Sequence, residues 1–233
     1  MKKRASHVGM VLSFVIFVAF LLFIFTTLQP LTETNSQRDI FLDYLKVTIT
    51  DQVSSNLTKI TVSGVEDKKK LKIAPSENFD YGGDYFVVKD DEFVDIPAES
   101  VNREILIRKS KDNGLVYLYF SPEEIISGAI KNMGSEVSYE EVDISLYQER
   151  KYIFESKVLN FIEELDTEYE IVKNDLEISG ANDFGVIFEN AQGDIFQTLE
   201  QDVQENIYVD RIPIEYVNSS ANVLHGFLSV KVW

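Results

Sequence analysis

Three clusters of carboxylates are the side chains whose types and spacing come closest to chemistry. They are Asp90-Asp91-Glu92 with Asp95, Glu140-Glu141 with Asp143, and Glu200 with Asp202 and Glu205. Paired carboxylates serve glycoside hydrolysis or hold Ca²⁺. The first cluster lacks the alternating acids and central glycine of a calcium loop, and consecutive carboxylates on a strand point to opposite faces. Of the two histidines, His225 is the one beyond the N-terminal tail. It sits beside Gly226 in a predicted strand, with no serine and acid in a triad pattern nearby, so it reads as a structural or surface histidine. The chain has no cysteine, which excludes thiol chemistry and cysteine-ligated zinc. Gly82-Gly83 reads as a turn and not a phosphate cradle, and the basic run Lys68-Lys69-Lys70 lies in acidic surroundings. No catalytic, cofactor-binding or metal-ligating residue is assigned. The expectation is a protein that is not an enzyme and carries no cofactor.

The element that would position any site is named by hydropathy. Residues 8–28 form a charge-free apolar run, preceded by Lys2, Lys3 and Arg4. At helical rise its 21 residues extend about 31 Å, the thickness of a bilayer's hydrocarbon core. No small-residue cleavage pattern follows it, so the run predicts a retained signal anchor and not a removed leader. The basic flank predicts a cytoplasmic N-terminus. The expected organisation is a basic cytoplasmic tail (1–7), a transmembrane helix (8–28), a linker (29–35) and an extracytoplasmic region (36–233) with candidate submodules 36–134 and 135–233. Every acidic residue lies beyond position 32, where 39 acids face the 19 basic residues left outside the tail, a formal charge of −20. That field repels nucleic acid and anionic headgroups. The expected partners are the lipid bilayer and either copies of the chain or other membrane proteins, with no nucleic acid. Asn56-Leu57-Thr58 and Asn218-Ser219-Ser220 are sequons, which makes Asn56 and Asn218 candidate glycosylation acceptors.

Pro30 predicts a break in the first helix, and Ser36 opens a second on the spacing of Ile40, Phe41, Tyr44 and Leu45. β-like runs follow over 57–62, 70–73, 85–88, 93–96, 104–107 and 115–120, with a hairpin signature at Lys111-Asp112-Asn113-Gly114. Ser121-Pro122-Glu123-Glu124 carries a capping box and predicts a helix to about Asn132. A strand is predicted over 137–146. A longer helix over about 153–176 has an apolar stripe at Phe154, Val158, Phe161, Ile162 and Leu165. The remainder, 184–198 and 207–233, reads as an antiparallel sheet. The predicted fold class is α+β: one N-terminal transmembrane helix followed by a mostly antiparallel β ectodomain with two or three helices.

Ala5, Gly9 and Ser13 recur every four residues, which puts small side chains on one helix face and permits close helix packing. The spacing is also one that chance supplies in such a segment. The short basic tail, the apolar helix that follows it and the β-rich remainder together resemble archaeal type IV pilin-like proteins. The resemblance implies cleavage between tail and helix at a junction of the kind Arg4-Ala5-Ser6 presents, with Ala5 and Ser6 as the processing junction. His7 and the lack of an early acidic residue in the helix depart from that pattern. The function expected is a membrane-anchored, pilin-like assembly or adhesion subunit acting by non-covalent packing. The alternatives are a membrane-tethered partner-binding accessory or sensor subunit, and a tethered hydrolase.

Overall fold

The structure, a computed structural model, describes the backbone of residues 4–65, 70–73, 83, 85–101, 104–108, 114–126, 139–141, 144–178, 183–199 and 207–233, with side chains for most of these. The chain divides into two compact units, Met1–Val47 and Thr48–Trp233.

The first element is a single 49-residue helix, α1 (Arg4–Gln52). The break predicted at Pro30 does not occur. A proline inside a helix removes one N–H and crowds the preceding turn at a cost of about 3 kcal/mol, and the helix-forming residues on both sides carry α1 through it. Among the described residues no helix is long and apolar enough to cross a membrane. The transmembrane helix at 8–28, the signal anchor, the single-pass location with a cytoplasmic tail and extracytoplasmic region, and the fold class built on them are corrected accordingly. The protein is a mixed α/β protein dominated by an eight-stranded sheet.

Within the second unit the strands are β1 (Ser54–Val65), β2 (Lys70–Ile73), β3 (Tyr85–Lys89), β4 (Ala98–Val101), β5 (Glu104–Arg108), β6 (Gly114–Ser121), β7 (Tyr139–Glu141), β8 (Ile144–Phe154), β9 (Phe184–Glu189), β10 (Ile195–Gln197), β11 (Tyr208–Val217) and β12 (Val223–Val232). The helices are α2 (Glu155–Thr167) and α3 (Tyr169–Asp175). The large sheet has the order β10-β9-β12-β11-β8-β1-β6-β3, and the small one β4-β5-β2-β7. Every neighbour in the large sheet is antiparallel except β11 and β8, which run parallel and share two register pairs, Tyr216 with Ile153 and Val217 with Phe154.

Alternation explains how the layers meet. On β1 and β6, Ile60, Val62, Val116, Leu118 and Phe120 point to one face, where Ile105 and Ile107 of β5 are buried against them. β5 and β6 therefore lie in different sheets, and the hairpin predicted between them is instead a connection from one sheet to the other; its turn, 109–113, lies outside the described residues. The capping-box motif at Ser121 forms its local bond, Glu123 N–H donating to Ser121 Oγ at 2.9 Å, yet no helix follows through Ile126. The remainder of that predicted helix lies outside the described residues. The long predicted helix at 153–176 starts two residues later, because β8 runs on to Phe154, and it divides at Glu168. Its buried stripe, Val158, Phe161, Ile162 and Leu165, is the one the spacing indicates. The turn at Asn190–Gly193 and the β11–β12 pairing match the sequence reading.

Candidate functional site

The chemistry-bearing groups that the fold brings together lie on the other face of β3, β6 and β1. Period two places Val87 and Lys89 of β3, Tyr117 and Tyr119 of β6, and Leu57 and Lys59 of β1 on that face, in registers that pair Lys89 with Tyr117 and Lys59 with Tyr119. Leu57, Val87, Tyr119, Phe154, Val217 and Ala221 form a buried cluster there. Lys89 is 1 % exposed in the midst of it.

A buried ammonium demands compensation. Lys89 Nζ donates to Asn222 Oδ1 and lies 3.7 Å from Asp95 Oδ1, with the Tyr119 ring 5.9 Å away. Burial pulls the Lys89 ammonium below its usual range, and the Asp95 carboxylate opposes that shift in part. Burial likewise pushes the Tyr119 phenol up to about 12, with Tyr117 and Tyr152 adding to it.

Both partners of Lys89 are held by their own backbones. Asn222 closes the β11–β12 turn: its N–H donates to Asn218 Oδ1 at 2.9 Å, and its carbonyl accepts from Asn218 N–H at 3.1 Å. Ala221 takes a left-handed φ of 55° so that the turn can close. Asp95 follows a loop capped by Asp90, whose Oδ1 accepts from Glu92 N–H at 3.0 Å and Val94 N–H at 2.9 Å. Phe93, at φ 59°, stacks on Tyr117 with ring centroids 5.2 Å apart. The Lys59 ammonium lies 4.2 Å from the centre of the Tyr117 ring, and burial lowers its pKa as well.

The first acidic cluster is thus divided by role. Asp90 caps a loop and Asp95 faces Lys89, so the cluster does not converge on a cation. Among the described residues no group of three or more potential ligands gathers as a metal site does. The side chains of the second cluster, and all of the third, lie outside what is described. His225 is exposed on β12 opposite Glu215. Ala5, Gly9 and Ser13 share one face of α1 by spacing; Gly9 and Ser13 are exposed, and nothing approaches within 4 Å of a Cβ built on Gly9. Ala5 and Ser6 lie in the first turns of α1, and their side chains are outside the described set. Of the sequons, Asn56 Nδ2 donates to Glu149 at 2.7 Å, and Asn218 Oδ1 caps the β11–β12 turn. A glycan takes one Nδ2 proton, so at Asn218 the Oδ1 cap would persist, while at Asn56 it would compete with the bond to Glu149.

A second feature is an open cleft of about 400 Å³ where β8 and β11 diverge, lined among others by Thr50, Ser54, Arg150, Tyr152, Ile212 and Glu215. Pro213 accounts for the divergence. Facing Phe227 in the β11–β12 ladder, it can occupy only a position without a ladder bond, which turns its nitrogen toward β8 with no proton to donate. Glu215 is the single carboxylate among the cleft's lining residues. No protein-family model, no curated protein and no solved structure matches the chain.

Sequence reasoning passed over the Lys89 group, although one signal was available. In Tyr85-Phe86-Val87-Val88-Lys89, alternation puts Lys89 on the same face as Val87, which is fully buried. Nothing in the sequence ties that position to Asn222, 133 residues away.

Proposed function

We propose that the chain is an assembly subunit working by non-covalent packing, with copies of itself as the partner and the N-terminal part of α1 as the assembly surface. The observation that carries this reading is the exposure of the apolar side chains from Met10 to Phe23, between 36 % and 74 %. They occupy every face of the helix. A helix apolar all round is stable only when covered on all sides, which a bundle of several such helices achieves and a single flat partner does not. Repeated copies of one chain supply that bundle through one kind of contact. Gly9 and Ser13 on a shared face let two backbones approach closely. The resemblance to pilin-like proteins supports the same reading. The acidic charge of the remaining chain keeps such subunits from associating elsewhere.

Gly9→Leu tests it, because open space around Gly9 leaves the subunit's own fold undisturbed. Chemical cross-linking of the full chain is expected to trap oligomers for the parent and several-fold fewer for Gly9→Leu and for Phe14→Ser/Phe17→Ser. Equal oligomer yields in all three would overturn the proposal. A second reading, a partner-binding accessory subunit, draws on the β8–β11 cleft and predicts a monomer at every concentration.

A further inference from the structure

We propose that Lys89 and Asn222 are joined by an intramolecular isopeptide bond, formed by the protein itself with Asp95 as proton carrier. The three groups meet where buried Lys89, set against an aromatic ring, is reached by the partly exposed Asn222 and Asp95, and together they carry the parts this reaction needs. The nucleophile is a primary amine held out of water, 1 % exposed and packed against Tyr119. The electrophile is a carboxamide whose carbonyl oxygen already accepts from that amine, so Cγ lies one bond from the atom Nζ touches. The turn bonds from Asn218 hold Asn222 in place, and β3 holds Lys89, so neither reactant needs to search. Asp95 Oδ1, 3.7 Å from Nζ, is the carboxylate that pairs with Lys89 among the described residues.

The step balances with no outside reagent. Neutral Lys89 Nζ attacks Asn222 Cγ, the Nζ–Cγ bond forms and the Cγ–Nδ2 bond breaks. One proton leaves Nζ, is carried by the Asp95 carboxylate and is delivered to Nδ2, which departs as ammonia. Burial favours this direction, because it disfavours the charged ammonium in the reactant and the product amide carries no charge. An ion pair alone compensates Lys89 poorly, since Asp95 is partly exposed to water and its oxygen lies beyond direct hydrogen-bond distance. With no cysteine in the chain, the bond would be its covalent cross-link.

Intact-mass spectrometry of the folded full chain, with proteolytic mapping, decides the matter. The parent is expected to be lighter than its sequence by one ammonia and to yield a branched peptide containing Lys89 and Asn222, uncut by trypsin at Lys89. Lys89→Met and Asp95→Asn, checked for native circular dichroism, are expected to show the full sequence mass. A folded parent at full mass would overturn the proposal. So would ammonia loss without the branched peptide, the signature of a cyclised asparagine. Complete cross-linking in Asp95→Asn would remove Asp95 from the step. None of these outcomes depends on whether the chain assembles through α1.

Discussion

Tyr169→Phe removes one oxygen and leaves the ring, and its consequence can be worked from the contacts of that oxygen. Tyr169 Oη accepts from the Phe184 N–H at 2.9 Å and donates to Asp183 Oδ1 at 3.2 Å, while Lys173 Nζ holds the same carboxylate at 2.6 Å. Phe184 is fully buried, so its N–H has no water to turn to. An orphaned buried donor costs about 1–3 kcal/mol, and the lost bond to a charged acceptor adds to that. Ring packing against Phe184, with centroids 5.7 Å apart, is retained. We expect a loss of about 2–3 kcal/mol, which at a urea slope of about 2 kcal/mol/M lowers the unfolding midpoint by roughly 1 M with an unchanged slope. Burial, above all, raises the Tyr169 phenol beyond its usual range, so the folded state retains its proton where the unfolded chain, at about 10, has lost it. That part of the stability is present below about pH 10 and is lost as pH rises above it. The alkaline decline should therefore be shallower in the variant. Urea titrations of parent and variant at pH 7 and pH 11 measure both effects; a midpoint shift under about 0.3 M at pH 7 would refute the reasoning.

Thr58 is buried, and its Oγ1 finds no hydrogen-bond partner among the described residues. Thr58→Val keeps the shape and removes the stranded hydroxyl, so thermal unfolding should rise by the equivalent of about 1 kcal/mol, and a fall of that size would contradict the assignment. Tyr119, with its phenol pushed up to about 12, adds stability that is complete below the unfolded value of about 10 and fades between pH 10 and 12. Tyr119→Phe should flatten that window in a pH series of melting temperatures, and an unaltered slope would show that Tyr119 does not titrate there.

The strands of the second unit were legible where alternation is strict. β12 shows this: Leu228, Val230 and Val232 are buried on one face, and Phe227 faces out. The β9–β10 turn was legible because Asn190 and Gly193 carry their own turn chemistry, Asn190 Oδ1 accepting from Gln192 and Asp194 N–H while Gly193 supplies φ 86°. What misled was local chemistry overridden by distant partners. Ser121-Pro122-Glu123-Glu124 has the composition of a helix start, but Ser121 is committed to β6 opposite Tyr85. Pro30 reads as a stop only if each side of it must form a helix alone. The apolar run at 8–28 matched a bilayer in length, whereas among the described residues no helix is long and apolar enough to cross one. The site was the least legible part, because Lys89 and Asn222 meet through long-range contacts, the β11–β8 junction and the Ile126–Ser219 backbone bond among them, and no local spacing encodes that.

That junction has a mechanical meaning. The large sheet consists of two four-stranded blocks, β10-β9-β12-β11 and β8-β1-β6-β3, and the ladder between them is two residue pairs long. Neighbouring strands within each block mostly share longer registers, such as the ten pairs of β11 with β12. Under load the sheet has a seam, and force applied across it falls on Tyr216–Val217 and Ile153–Phe154 before any other ladder. Lys89 belongs to one block and Asn222 to the turn of the other, so their contact ties the two blocks across this line of least resistance.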